Sequence, residues 1–141
     1  MDVHTKEQRH YNMSRIKSKN TKPELVVRKF LWEQGYRYRL QRKDLPGKPD
    51  IVLSRFRLVV FVNGCFWHMH KCRKFVLPST NTEFWHEKLS KNKKRDMKNY
   101  IKLKKAGWNY FVIWECQLSS NKEKALEKLN DILQVLDQKI N

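Results

Sequence analysis

Residues 58–72 read LVVFVNGCFWHMHKC and combine an apolar strand with a loop of metal-binding side chains. The apolar run 58–62 stops at Asn63-Gly64, a pair that is typical of turns. The eight residues that follow hold two of the three cysteines, two of the five histidines and the pair Phe66-Trp67. A buried strand that ends in such a loop predicts a rigid element that presents a functional site at its end.

A second apolar stretch, 51–53, precedes this strand and predicts a β-hairpin. Asp50 stands immediately before it, after the turn-forming segment 43–49, which reads KDLPGKP. In an antiparallel pair the start of one strand lies beside the end of the other. We therefore expect Asp50 and Asn63 to be neighbours in space.

Helix and strand patterns surround the hairpin. Thr21, Pro23 and Glu24 predict the start of a helix with a capping box, and Gly35 is its expected end. At residues 36–40, which read YRYRL, large apolar or aromatic side chains alternate with arginines, and this pattern predicts a half-buried strand. Downstream, the patterns predict a basic helix capped by Asn81 or Thr82 and ending near Ala106, a strand at 108–114, and a helix opened by a capping box of Ser120 and Glu123. The order α-β-β-β-α-β-α predicts an α/β fold with a mixed sheet flanked by helices.

The charge of the chain points to a polyanionic partner. Lys and Arg number 31 against 14 Asp and Glu, which gives a net charge of +17. Nucleic acid is the leading candidate for this partner, because neutralising phosphates releases counterions. An anionic membrane is the alternative, but it favours a basic amphipathic helix without a folded site. No apolar run is long enough to span a membrane and residues 1–22 are polar, so we expect a cytoplasmic protein.

A length of 141 residues suits one domain with a real core. Residues 1–20 are polar and basic without any period, and are either a frayed terminus or an arm that orders along phosphates. We predict a basic DNA-contacting arm at 1–20 and a single domain at 21–141.

Three cysteines and one histidine form a candidate metal site. Cys65, Cys72 and Cys116 with a histidine of the loop supply the donor set of a closed, tetrahedral, structural zinc site. The alternative is three free cysteines, which are commonly buried and inert. Spacing alone leaves open whether His68 or His70 is the ligand.

Asp50 and His68 form a candidate catalytic pair. A Mg²⁺-dependent nuclease needs a carboxylate to hold the metal ion against the scissile phosphate and a base to activate water. Asp50 suits the first role and His68 the second. The alternatives are a turn-forming Asp50, a His68 that binds zinc, and a Glu24 that only completes its capping box.

Aromatic side chains next to positive charge can insert into duplex DNA at a lesion. Phe66 and Trp67 in the loop and Trp85 in the basic helix are the candidates. At least one of the consecutive pair Phe66-Trp67 is expected to be exposed, since both cannot easily face one core. Ordinary core packing is the expectation for the remaining tryptophans, namely Trp32, Trp108 and Trp114.

The chain resembles the very short patch repair (Vsr) endonuclease family in several short motifs taken together. The motifs are TKPE at 21–24, LPGKPD at 45–50, NGCFWHMHKC at 63–72, N-x-x-R-D at 92–96 and WEC at 114–116. The resemblance implies a restriction-endonuclease-like mixed sheet with a structural zinc. It also implies an enzyme that nicks one strand of duplex DNA 5′ to the thymine of a T·G mismatch, a lesion produced when 5-methylcytosine deaminates.

The resemblance also implies a role for individual residues. Asp50 and the backbone carbonyl of Val62 would hold Mg²⁺, His68 would be the base, Asp96 would orient it, and Glu24 would act near the metal through water. The implied zinc ligands are Cys65, His70, Cys72 and Cys116. The implied DNA-binding residues are Phe66, Trp67, Trp85, Lys88, Asn92 and Arg95.

Asn63 departs from the family, which commonly has a histidine at this position. An amide can donate a hydrogen bond to a phosphate oxygen but cannot give up a proton near neutral pH. The leaving group would then take its proton from metal-bound water. The acid-x-Lys motif of related nucleases is also missing at 61–63, as it is in the Vsr family.

Two other functions fit the sequence. One is a homing- or restriction-type nuclease on the same core, which would cut a matched site. The other is a zinc-stabilised DNA-binding module without catalysis. For the Vsr-like function we expect a monomer in the bacterial cytoplasm, associated with the nucleoid, with mismatch-repair proteins as further partners.

Overall fold

A four-stranded mixed sheet, in the order β1-β2-β3-β4, forms the centre of the fold. The computed structural model describes residues 21–72 and 75–140, so the predicted arm at 1–20 lies outside the described residues. The elements are α1 (Lys22–Glu33), β1 (Arg39–Leu40), β2 (Ile51–Leu53), a 3₁₀ turn (Ser54–Phe56), β3 (Leu58–Asn63), α2 (Thr82–Lys105), β4 (Asn109–Trp114), α3 (Glu115–Ser120) and α4 (Lys122–Ile140). The predicted mixed sheet with flanking helices is confirmed.

The pairing of β3 with both neighbours places the site. β2 and β3 form the predicted antiparallel hairpin, with Ile51 opposite Val60. β4 runs parallel to β3, with Asn63 opposite Trp114, and α2 makes the crossover that a parallel pair requires. The start of β2 and the ends of β3 and β4 therefore meet at one edge of the sheet.

Helices cover both faces of the sheet, so the fold has three layers. On one face, Val27 and Leu31 of α1 and Leu129 and Leu133 of α4 pack on a buried cluster with the sheet residues, and all four are fully buried. On the other face, Leu103 of α2 closes a second cluster with further side chains of the sheet, which are Val52, Val59 and Phe61. Each such buried leucine stabilises the fold by about 2 kcal/mol.

The structure differs from the prediction at the strand before the hairpin, at the helix α3 and at the start of α4. The strand predicted at 36–40 pairs only at Arg39–Leu40, although Tyr36 and Tyr38 are half-buried and pack against the core as the alternation indicates. The helix α3 was not predicted. The capping box of Ser120 does not open α4, because the Ser120 hydroxyl donates to the Cys116 carbonyl at 2.7 Å. Asn121 Oδ1 accepts the Lys124 N–H at 3.2 Å and is the cap instead.

α2 begins where predicted, with Asn81 as its N-cap residue, but the expected side-chain cap does not form. Asn81 adopts a left-handed conformation with φ of 56° and makes no side-chain cap bond. The Thr82 hydroxyl donates to the Pro78 carbonyl at 2.8 Å, so it fastens the preceding loop. None of the helices among the described residues is long and apolar enough to cross a membrane.

Trp32 contradicts the expectation of core packing. Its side chain is 55% exposed, and the Arg37 guanidinium lies 3.6 Å from its ring centroid. Trp108 and Trp114 are half-buried, and Trp108 packs against the second core cluster. The helical period of α1 gives the physical reason, because position 32 faces away from the buried positions 27 and 31.

Candidate active site and metal centre

A cavity of about 770 Å³ opens where β2 begins and β3 ends. Four carboxylates of the described residues line it, although the whole chain has only 14 acidic residues. They are Glu24, Asp50, Asp96 and Glu115, and Lys48 also lines the cavity. An acidic cavity without a bound cation would repel the phosphates of a nucleic acid. The convergence of acidic groups in a chain of net charge +17 therefore indicates a cation site.

Asp50 occupies the position that the hairpin predicts. Its Oδ2 accepts the Val62 N–H at 2.7 Å. Because the N–H and C=O of one strand residue point to the same side, the Val62 carbonyl also faces Asp50. Burial raises the pKa of Asp50 to about 7, with Glu24 adding to the rise and the Val62 N–H and Arg28 opposing it. The pair Asp50 and Val62 can therefore offer two oxygen ligands to one divalent cation.

Glu24 lies beside Asp50 and is only 2% exposed. Its Oε2 accepts from Arg28 at 2.9 Å and from Gln41 Nε2 at 3.4 Å. The predicted N-terminal cap holds, since Thr21 Oγ1 accepts the Glu24 N–H at 3.4 Å. Glu24 thus starts the helix and also brings a second carboxylate to the cavity.

His68 and Asp96 form the predicted pair. His68 Nδ1 lies 2.5 Å from Asp96 Oδ2, and both side chains are half-buried. This contact fixes the imidazole with its Nδ1 toward the carboxylate. Nε2 is then the ring nitrogen that remains to take a proton.

Asn63 ends β3 in the same cavity and is 4% exposed. Its Nδ2 has no hydrogen-bond partner among the described residues. Burial raises the pKa of Tyr100 to about 12 and the nearby Asn63 amide opposes the rise, although the two groups form no hydrogen bond of good geometry. A buried donor without a partner is costly, and it is commonly kept where a ligand completes it. The donor suits a phosphate oxygen.

The predicted zinc ligands come together beside this cavity. The ligand atoms of Cys65, His70, Cys72 and Cys116 all lie within 4.8 Å of one another. Cys116 Sγ is 3.4 Å from His70 Nδ1, close to the roughly 3.6 Å that tetrahedral zinc bonds require between sulfur and nitrogen. The cluster can hold a metal ion such as zinc. His70 is the histidine that it uses, because His68 is engaged by Asp96.

Burial governs the protonation of this cluster in the absence of a cation. It raises the pKa of Cys65 to about 12 and raises that of Cys116. It also lowers the pKa of His70, with help from Lys93. Metal binding must therefore displace thiol protons, while the imidazole is already in its neutral, metal-binding form.

Contacts between the two sites hold the loop in place. Cys65 donates its N–H to Glu115 Oε1 at 3.2 Å, and His70 stacks on Trp114 at 4.0 Å with an interplanar angle of 10°. A metal ion on Cys65 and His70 would therefore fix the backbone on both sides of His68.

An aromatic cluster lies at the cavity, which two of its rings, Phe66 and Trp67, line. The ring centroids of Phe66, Trp67 and Trp85 lie 5.2 to 6.0 Å apart. Lys88 Nζ lies 5.9 Å from the Trp67 ring and 5.6 Å from the Trp85 ring. Phe66 and Trp67 are both half-buried, so neither shows the full exposure that the consecutive pair predicted.

Asn92 and Arg95 lie on the same side of α2 as Lys88. Asn92 Nδ2 donates to the Trp67 carbonyl at 3.3 Å, and Arg95 donates to Asn92 Oδ1 at 3.0 Å. Asn92 is therefore engaged with the loop backbone. Arg95 and Lys88 are exposed and carry charge toward solvent.

Three residues of the site were missed from the sequence. Arg28 and Gln41 hold Glu24, and Glu115 ties the zinc loop to α3. For Glu115 a signal was present, because it stands beside Cys116 in the WEC motif. For Arg28 a local signal was present, because Glu24 and Arg28 are four residues apart on one helix. For Gln41 no local pattern points to the contact, since only the fold brings the end of β1 to α1.

Fold and site together define the class of the chain, a DNA endonuclease built on a mixed sheet. The family model described as DNA mismatch endonuclease Vsr matches residues 1–74. The chain belongs to this family, and it is a DNA mismatch endonuclease whose substrate is DNA.

Curated relatives agree with the family assignment. A type II nicking enzyme of Neisseria meningitidis serogroup A is 50% identical over 132 residues, which cover 94% of each chain. The DNA mismatch endonuclease Vsr of Escherichia coli K12 is 41% identical over 133 residues, covering 94% of this chain and 85% of that one. A type II nicking enzyme of Xanthomonas oryzae is 50% identical over 113 residues, covering 80% and 83%.

Proposed function

We propose that this endonuclease is Mg²⁺-dependent and nicks one strand 5′ to the thymine of a T·G mismatch that arises from 5-methylcytosine deamination. The observation that carries the proposal is the convergence of Asp50, Glu24 and the His68–Asp96 pair in one cavity of a strongly basic chain. The relatives' names, a mismatch endonuclease and nicking enzymes, are consistent with it.

Asp50 and the Val62 carbonyl would hold the Mg²⁺, with Glu24 acting through water. Bound Mg²⁺ would neutralise charge on the scissile phosphate. Asp50 is fixed by the Val62 N–H, so this ligand is oriented before the metal ion arrives. Lys48, exposed and at the cavity mouth, would add a positive charge for the phosphate.

His68 would act as the general base. Its Nε2 takes a proton from a water molecule, which attacks phosphorus while the bond from phosphorus to the leaving sugar oxygen breaks. Asp96 stabilises the imidazolium that forms. Asn63 would donate to a phosphate oxygen, and the leaving oxygen would take its proton from water, because an amide has none to give.

The zinc would have a structural role. All four ligands are protein side chains, which leaves no open position for substrate. The ion would hold the loop that carries Phe66, Trp67 and His68. The aromatic cluster would insert beside the mismatch, where stacking is weakest, while Lys88 and Arg95 contact phosphates.

Residues 1–20 would form a basic arm that contacts DNA ahead of a single domain at 21–141. The family match begins at residue 1 and therefore includes this segment. We place the enzyme in the bacterial cytoplasm on nucleoid DNA, as a monomer, with mismatch-repair proteins as further partners.

The test is a nicking assay on otherwise identical duplexes that carry T·G, T·A or C·G at one position. With Mg²⁺, one strand of the T·G duplex is expected to be nicked and the matched duplexes spared. Asp50→Ala should abolish nicking but retain DNA binding. Asp44→Ala is the matched control, because Asp44 is exposed and does not line the cavity.

Equal cleavage of matched duplexes would overturn the mismatch specificity and favour the restriction-type alternative. Salt-sensitive binding without any strand break, in Mg²⁺ and on all duplexes, would favour the non-catalytic module. Varied base pairs next to the T·G position would then define the sequence context.

A further inference from the structure

The outer edge of β4 has backbone groups directed away from the sheet. The Asn109 N–H donates to the Arg57 carbonyl at 2.8 Å, on the β3 side. Because this direction alternates along a strand, Tyr110 and Val112 direct their N–H and C=O groups outward. The next outward N–H, that of Trp114, is satisfied by Gln117 Oε1 at 3.0 Å. Within the described residues β4 is an edge strand, so the outward groups of Tyr110 and Val112 face no further strand.

A cavity of about 480 Å³ lies beside this edge, between β4 and the start of α4. Its lining combines apolar surface from the strand with polar and cationic side chains from the helices: Phe111, Val112, Gln117, Ser120, Asn121, Lys124, Ala125 and Lys128. The catalytic cavity shares none of these residues. The edge and its cavity are therefore separate from the proposed DNA-cutting site.

Two lysines make the lining of this cavity positively charged. Lys124 and Lys128 are one helical turn apart, are exposed, and form no ion pair among the described residues. No carboxylate of the described residues lines the cavity. Lys104 on α2 lies on the opposite side of the strand, with its Nζ 5.8 Å from the Tyr110 ring. An occupant of this edge meets positive charge from both flanking layers.

We propose that the outer edge of β4 binds an extended, acidic segment of a partner protein by strand addition. The segment's backbone would pair with Tyr110 and Val112, one apolar side chain would enter the cavity against Phe111, and acidic neighbours would meet Lys124 and Lys128. This is the mode in which backbone hydrogen bonds give affinity and pockets give specificity. A second copy is disfavoured, since each chain carries +17. DNA lacks the alternating donors and acceptors that a strand edge requires.

The test begins with a displayed library of random peptides selected against the full-length protein. The expected consensus alternates apolar residues with Asp or Glu. On binding of a selected peptide, the amides of Tyr110 and Val112 should be protected from hydrogen exchange. Lys124→Glu with Lys128→Glu should weaken the peptide by about tenfold or more. The matched control reverses Lys122 and Lys139, which lie at the two ends of the same helix, and should leave affinity within about twofold.

The proposal is independent of the nicking reaction, so both charge-reversed proteins should keep the same nicking rate. Selection of basic or unpatterned peptides would overturn it, as would protection of amides elsewhere on the chain. A larger loss of DNA affinity in the Lys124→Glu, Lys128→Glu protein than in its control would show that these lysines contact phosphates instead. If the wild-type protein forms a dimer and the Lys124→Glu, Lys128→Glu protein does not, the edge joins two copies of the chain instead.

Discussion

Asp50 Oδ2 accepts the Val62 N–H at 2.7 Å, and this bond ties the residue before β2 to the end of β3. The bond holds the carboxylate at the edge of the sheet where β2 begins and where β3 and β4 end. It also competes with burial, which raises the pKa of Asp50 to about 7. A carboxylate in this position is costly to the fold until a cation neutralises it.

The first prediction concerns this cost. Asp50→Asn keeps an oxygen for the Val62 N–H but removes the charge. A raised pKa in the folded state means that ionised Asp50 lowers the free energy of unfolding as the pH rises from about 4 to about 7. Without added Mg²⁺, Asp50→Asn should raise that free energy by about 1–2 kcal/mol at pH 8 and by less at pH 6.

Thermal or denaturant unfolding at the two pH values measures the effect, with bound zinc left in place. Asp44→Asn is the control, because Asp44 is exposed and paired with Arg42 at the surface. An Asp50→Asn protein that is less stable than wild type at pH 8 would contradict the prediction. The same substitution should abolish Mg²⁺-dependent nicking.

The second prediction tests whether His68 and Asp96 act as one unit. His68→Ala should lower the single-turnover nicking rate by about 10² to 10⁴-fold, the usual worth of a general base. Asp96→Asn should lower the same rate by about tenfold or more. If Asp96 acts only through His68, the double variant should be no slower than His68→Ala. Asp131→Asn, exposed on α4, is the matched control. Additive losses would show that Asp96 has a separate role.

The third prediction concerns the metal cluster. Wild-type protein should carry one zinc per chain, measured by elemental analysis. His70→Ala should lose it and unfold at lower temperature, because zinc binding contributes to folding free energy. His86→Ala is the control, since His86 is exposed and outside the cluster. Zinc should also dissociate as the pH falls, because protons return to thiols whose pKa values burial raises. The site would be ruled out if the wild-type protein contained no zinc and if added zinc did not change its unfolding temperature.

Local patterns predicted the elements that local physics controls. The hairpin followed from two apolar runs with a turn between them, and the hairpin alone predicts Asp50 beside the end of β3, where the Val62 N–H meets it. The zinc donors followed from residue type. These donors meet because β3 pairs in parallel with β4, which brings Cys116 to Cys65. The same pairing brings the Cys65 N–H to Glu115 Oε1, 50 residues further along the chain.

Long-range contacts explain what the sequence did not reveal. Gln41 reaches Glu24 only because β1 pairs with β2 and returns toward α1. The helix α3 is six residues long and carries no clear period, so the sequence does not separate its last residue, Ser120, from the start of α4. Core packing is the ordinary expectation for Trp32, whereas its helical position relative to Val27 and Leu31 directs it to solvent.

The last prediction concerns Asn63, whose buried Nδ2 has no partner among the described residues. If this donor binds a phosphate oxygen, Asn63→Ala should slow nicking by about tenfold, the worth of one hydrogen bond to a charged group. The fold should tolerate the change, because the variant removes a buried donor that has no partner. Asn63→Asp should slow nicking much further, since it adds a negative charge facing the phosphate.

Asn109→Asp is the matched control for the added charge. Asn109 is half-buried at the opposite end of β4, where its Oδ1 accepts from Lys104 at 3.3 Å. Single-turnover nicking and thermal unfolding should be measured for all three variants. An Asn63→Ala protein that nicks DNA at the wild-type rate would show that the amide does not contact the phosphate. The buried amide would then affect only the stability of the fold.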